Sequence, residues 1–220
     1  MSLYCERTEP GWFAEPLNTA AGLAYFVASW QAWKQLDRER WREQWDLHLL
    51  AALIALVGLA SLFWHATGFR WLFWVDAAAL TAFAAAYWSV FLVRVPRIRR
   101  VGFAVAWLLT GLGLVFFYRL TPGAVPGSTL AYVPMLVLLF VALVLALRVD
   151  RRLARDLLFA GVIFGLALGV RSLDAVLCTW VVVGTHWLWH LLTAGLLFVL
   201  VDGILRHVRT REVRVANHDG

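Results

Sequence analysis

Cysteine is all but missing: the chain has two in 220 residues, Cys5 and Cys178, and no CxxC pair. A cysteine-ligated metal site needs such pairs, so the sequence gives that class no support. Charge is scarce as well. Only 15% of residues are charged against 62% hydrophobic, and the charges come in runs separated by long apolar stretches. A soluble domain of this length has no need of so much apolar surface, which points to a polytopic membrane protein. There is no internal repeat, no low-complexity linker and no stretch left over for a soluble domain. The first dozen residues, MSLYCERTEPGW, lack the basic start and apolar core of a cleavable signal peptide, so the first apolar stretch is expected to remain as a membrane helix.

Seven apolar stretches have about the length needed to cross a hydrocarbon core of roughly 30 Å. They run near 17–35, 47–66, 71–93, 101–118, 130–147, 156–175 and 181–205. Backbone groups must be satisfied internally in lipid, so each is expected as a helix. The expected fold is all-α, a seven-transmembrane-helix bundle forming a single domain over 1–220. Orientation follows from the basic residues. Sixteen of the 20 lie on one side, clustered at 34–42, 94–100, 148–155 and 206–214. Only Arg7, Arg70, Arg119 and Arg171 lie on the other. The positive-inside rule then expects the N-terminus outside and the C-terminus cytoplasmic. The net charge of +6 is membrane-flanking charge and calls for no nucleic-acid partner. The mixed segment QLDRERWREQWD reads as an interfacial loop or short amphipathic helix.

Against this background the stretch LASLFWHATGFRWLFWVDAAAL, residues 59–80, is unusual. Ionisable groups in a span are costly and point to function. Ser61 and His65 are four apart, so they share one helix face, and Asp76 follows beyond the turn ATGFR. The last span opens GTHWLWHLLTAG, where His186 and His190 are again four apart. With the expected topology all five groups lie at the outer ends of their helices. Each has an ordinary reading alone: Ser61 easing helix packing, His65 bonded to a carbonyl, Asp76 paired with Arg70, the histidine pair facing a wet crevice. Five such coincidences at one depth favour a site. Three histidines with an open fourth position form the ligand set of a catalytic zinc. HWLWH has the spacing of the metalloprotease HExxH but lacks its glutamate, so a base must come from elsewhere, with Asp76 the nearest candidate.

Ser61, His65, Asp76, His186 and His190 resemble the pattern of the alkaline ceramidases, within a superfamily of membrane hydrolases that also includes the adiponectin and progestin receptors. CERTEPGWFAEPLNT is similar to the family's N-terminal segment, and THWLWHLLTAG to its last-helix motif. The resemblance covers nearly the whole chain. It implies a zinc held by His65, His186 and His190, with Ser61 stabilising the oxyanion and Asp76 moving protons. The implied reaction is hydrolysis of a ceramide or similar N-acyl lipid to a fatty acid and a sphingoid base. The implied setting is a bilayer; the compact chain with minimal loops suggests a bacterial inner membrane, and the expected topology puts the site near the outer leaflet. It also implies a Cys5–Cys178 disulfide, the second cysteine standing in SLDAVLC; two unpaired thiols are the alternative. Family members from animals bind calcium in the N-terminal segment, and Glu6 and Glu15 match two of those positions. Leu3 stands where an aspartate is expected, Glu9, Asn18 and carbonyls would have to fill in, and Glu15 and Asn18 as helix caps are the alternative.

Two other functions fit the same outline. A receptor or sensor with a structural zinc would need contacts for a signalling partner, of which the chain has few. A small transporter would spread its polar groups through the membrane depth, whereas here they gather at one end. Arg171 with Asp174, and Asp202 with Arg206, are spaced to pair on one helix face.

Overall fold

A computed structural model describes residues 4–7, 12–38, 44–124 and 127–216, with side chains to residue 213. The described residues form helices α1 (Pro16–Ala21), α2 (Leu23–Arg38), α3 (Trp45–Thr67), α4 (Arg70–Arg94), α5 (Arg100–Leu120), α6 (Val133–Leu147), α7 (Arg151–Leu177) and α8 (His186–Ala216). A 3-10 turn, Thr129–Tyr132, leads into α6. Among the described residues there is no strand. Residues 39–43 of the mixed interfacial segment, with Glu9, lie outside the described residues.

Among the described residues six helices are long and apolar enough to cross a bilayer, α3 to α8 with the 3-10 turn counted into α6. The first expected span differs. Alone, α2 has 16 residues, about 24 Å of helix, which is short for a crossing. It continues α1 through Gly22, whose backbone stays right-handed (φ −58°), so 16–38 together cover the expected segment. The last span also differs: its helix begins at His186, not at 181, and runs to Ala216. Gly184 turns with φ +65°. The carboxylate of Asp174 on α7 then accepts the backbone N–H groups of Thr185 (2.6 Å) and His186 (2.9 Å). Those are orphan donors of a helix N-terminus, and a carboxylate there starts the helix where it sits.

The chain is an integral membrane protein. Helix α8 is its hub, packing on α1, α2, α3, α4 and α7, while α2–α3, α3–α4 and α6–α7 close the bundle around it. Lipid is as apolar as a protein interior, so small residues that let backbones approach, not burial from water, hold such helices together. Ala32, Ala51, Ala146, Ala160 and Ala167 are fully buried accordingly, among larger side chains such as Leu50, Ile54, Phe91 and Ile204. Helix α5 buries no residue and presents Leu108, Leu112 and Phe116 outward. At the arginine-rich end, Arg94 makes a bidentate pair with Asp46 (2.8 and 2.7 Å), joining the end of α4 to the start of α3. There Asp150 caps α7 and accepts from His207 at 2.7 Å. The expected Asp202–Arg206 pair forms at 2.6 Å and includes Asp156.

Candidate active site

The opposite end of the bundle carries the site. Ser61 and His65 lie in the last two turns of α3, Asp76 in the second turn of α4, and His186 and His190 in the first two turns of α8. Helix α3 stops just beyond its histidine because Gly68 takes a left-handed conformation (φ +67°) and its N–H closes on the Trp64 carbonyl at 2.8 Å. Helices from three parts of the sequence thus bring all five groups to one end, as the spacing suggested.

The three histidines converge. Their ring centroids are 4.6, 4.8 and 5.3 Å apart, and one ligand nitrogen from each lies within 4.8 Å of the others. All three are buried, and the Nε2 atoms of His65 and His190 have no hydrogen-bond partner among the described residues. A buried imidazole nitrogen without a partner is costly unless a ligand completes it. The outer nitrogens are held instead. His65 Nδ1 meets the Glu15 carboxylate, and His190 Nδ1 lies 3.2 Å from Ser61 Oγ. His186 Nδ1 is 3.4 Å from an Arg171 guanidinium nitrogen. Partners on the outer nitrogen fix an imidazole's orientation and tautomer, as in metal centres. The donor set therefore fits a metal ion, and three imidazoles suit zinc.

Asp76 is half-buried and supplies none of the converging nitrogens' partners, yet its charge acts on His65 and Arg171. The sequence does not single out Tyr4, whose ring stacks on His186 at 3.8 Å. Burial pushes its phenol up to about 12, against the opposing pull of Arg171, so the ring stays neutral. Arg171 does not pair with Asp174. It faces the histidines, donates to the Gly127 carbonyl at 3.1 Å and lies over the rings of Tyr4, Tyr132 and Trp189. Asp174 binds backbone instead, accepting from Cys5 N–H (3.1 Å) as well as from the start of α8. Cys5 and Cys178 face each other with Cα atoms 5.3 Å apart and sulfurs at bonding distance. Rare charges within apolar spans do signal Arg171 and Asp174 in the sequence, but their spacing suggests the wrong partner.

The two acids matched to calcium positions are otherwise engaged. Glu6 accepts the N–H groups of Leu17 (2.5 Å) and Asn18 (2.9 Å), so it, and not Glu15, caps α1. Glu15 receives the Arg7 guanidinium, the Asn18 amide (3.0 Å) and His65. Burial alone would raise its carboxyl, but the His65 and Arg7 contacts outweigh that and hold it below the ordinary carboxylate range. Calcium requires six to eight oxygens. The described residues around Glu6 and Glu15 do not fit it.

Below the histidines a narrow apolar cleft of about 70 Å³ runs between α4, α6, α7 and α8. Its wall includes Leu80, one turn beyond Asp76, and Thr193, one turn beyond His190; Phe83, Leu139 and Leu197 line it further in. The Thr193 hydroxyl lies 2.5 Å from that of Tyr25.

The described residues thus form a membrane-embedded helical bundle with a buried histidine cluster able to hold a metal beside an apolar cleft. The ceramidase family model matches residues 4–215, so this chain belongs to the ceramidase family and is a membrane hydrolase acting on an amide. A search of curated proteins finds no match.

Proposed function

We propose that the chain is a zinc-dependent amidase that cleaves ceramide or a related N-acyl lipid into a fatty acid and a sphingoid base. The observation that carries this reading is the convergence of His65, His186 and His190 with two buried, unpartnered Nε2 atoms. Zinc held there would supply a Lewis-acid charge and lower the pKa of water to about 7. Asp76, across from the histidines on α4, takes the proton of the attacking water and returns it to the leaving nitrogen. Ser61 donates its hydroxyl hydrogen to the oxyanion of the tetrahedral intermediate while its oxygen accepts from His190 Nδ1. Glu15 and Arg171 hold the outer faces of His65 and His186.

The cleft supports a lipid substrate. It starts one turn beyond both Asp76 and His190, so an amide at the histidines would send a hydrocarbon chain into apolar side chains. The arginine clusters at the opposite end support a cytoplasmic C-terminus and a site near the outer leaflet, and the compact chain with minimal loops supports a bacterial inner membrane. Cys5 and Cys178 at the site end would then form their disulfide in an oxidising compartment.

Zinc per chain in detergent-purified protein, alongside His190→Ala, tests the reading. About one zinc in the wild type, lost in the variant, with ceramide hydrolysis lost in parallel, is expected. Folded wild type that takes up no zinc even after metal is added would overturn it.

A further inference from the structure

The N-terminal segment contains a cation of its own. Arg7 enters between the first helix and the end of α3 and meets three things at once. Its Nε donates to one Glu15 carboxylate oxygen, whose other oxygen meets His65 Nδ1. Its Nη2 donates to the His65 carbonyl at 3.3 Å, and its guanidinium lies over the Trp64 ring at 5.6 Å. The surroundings are shaped to admit it. A Cβ on Gly68 would fall 1.5 Å from Arg7 Nη1, so the glycine that ends α3 also leaves room for the guanidinium. The side chain keeps only 16% of its surface exposed, and the Glu15 side chain 1%.

A buried carboxylate needs a positive partner, and removing that partner leaves an uncompensated charge. The Glu6 carboxylate is committed to the α1 N-terminus and offers none. We propose that Arg7 is the resident cation of this segment: it takes the place an external calcium would fill, makes the fold independent of calcium, and acts as a positioning residue for His65 through Glu15. The chain Arg7–Glu15–His65 runs from the protein surface to a buried imidazole without a gap. An arginine suits the task because its planar fork serves a carboxylate and a carbonyl together, which a lysine does less well.

The role of His65 as a metal ligand belongs to the function proposed above; the calcium independence does not rest on it. The test uses full-length wild type, Arg7→Ala and Arg7→Lys in detergent. Two quantities are read: the unfolding temperature in calcium-depleted, chelator-free buffer and in calcium, and the rate at which zinc is lost to a chelator. Wild type should melt at the same temperature in both media. Arg7→Ala should melt at least ~3 °C lower and release zinc about 10-fold faster, as expected when an outer partner of a histidine ligand is removed. Arg7→Lys, or methylguanidinium added to Arg7→Ala, should restore part of both. A wild type that calcium stabilises by several degrees overturns the proposal, even if Arg7→Ala does not fold. So does Arg7→Ala with wild-type melting and zinc release. A protein that binds zinc but hydrolyses no ceramide would sink the substrate reading and leave these readouts intact. One that takes up no zinc is still decided by its melting.

Discussion

Among individual residues, the proposed mechanism divides the site into groups that would touch the reacting atoms and groups that hold them. Asp76 is the one member with no fixed hydrogen-bond partner among the described residues, as the proton-carrying role proposed for it would require. Asp76→Asn should therefore keep zinc and the fold while losing turnover by about 100-fold or more. Metal content and ceramide hydrolysis on one preparation check this, and near-normal turnover would remove Asp76 from its role. His65, His186 and His190 were legible in the sequence because a polar group repeated at four-residue spacing inside an apolar span has few structural uses. Their supports were less so. Tyr4 and Arg7 lie in a polar segment where aromatic and basic residues are ordinary, and nothing local shows that they reach His186 and Glu15. Arg171 was visible as a charge out of place, yet spacing along a helix favoured Asp174, and only the packing of α7 against α8 shows it turned to the histidines.

At the level of elements, the helices followed from hydropathy and their ends did not. The stretch from 176 to 205 is nearly unbroken and apolar, so length alone put the start of the last span at 181. The actual start is set by a long-range contact, the Asp174 carboxylate against the first N–H groups of α8, which hydropathy does not contain. Gly184 is part of that device: its φ is +65°, and a Cβ there would fall 2.1 Å from Asp174 Oδ1. Gly184→Ala must strain the backbone and displace the cap, which together cost about 2 kcal/mol. It should lower the unfolding temperature by ~5 °C. Gly161→Ala, with nothing within 4 Å of the new methyl, should not. Equal melting of both variants and wild type would mean that Asp174 does not set the start of α8. The division of the first span at Gly22 was equally hidden, since its backbone barely departs from helical.

For the whole molecule, the seven-helix outline was readable because lipid allows so few solutions for an apolar chain. The order of packing around α8 was not, since helix rotation leaves little trace in composition. The proposed orientation is open to direct measurement. A fluorescent protein that matures only in the cytoplasm, fused after the last helix, should fluoresce in intact bacterial cells; a dark fusion on stably inserted protein would reverse the topology. A different kind of consequence follows from where the site's parts lie along the chain. Tyr4, Arg7 and Glu15 precede every span in the chain, and His186 and His190 come after six of them. A growing chain inserts into the very bilayer that holds its substrate, yet it has no complete set of imidazoles until the final helix arrives. On the proposed zinc mechanism, a chain stalled anywhere before α8 would hold one of the three imidazoles and could not cleave the lipid around it.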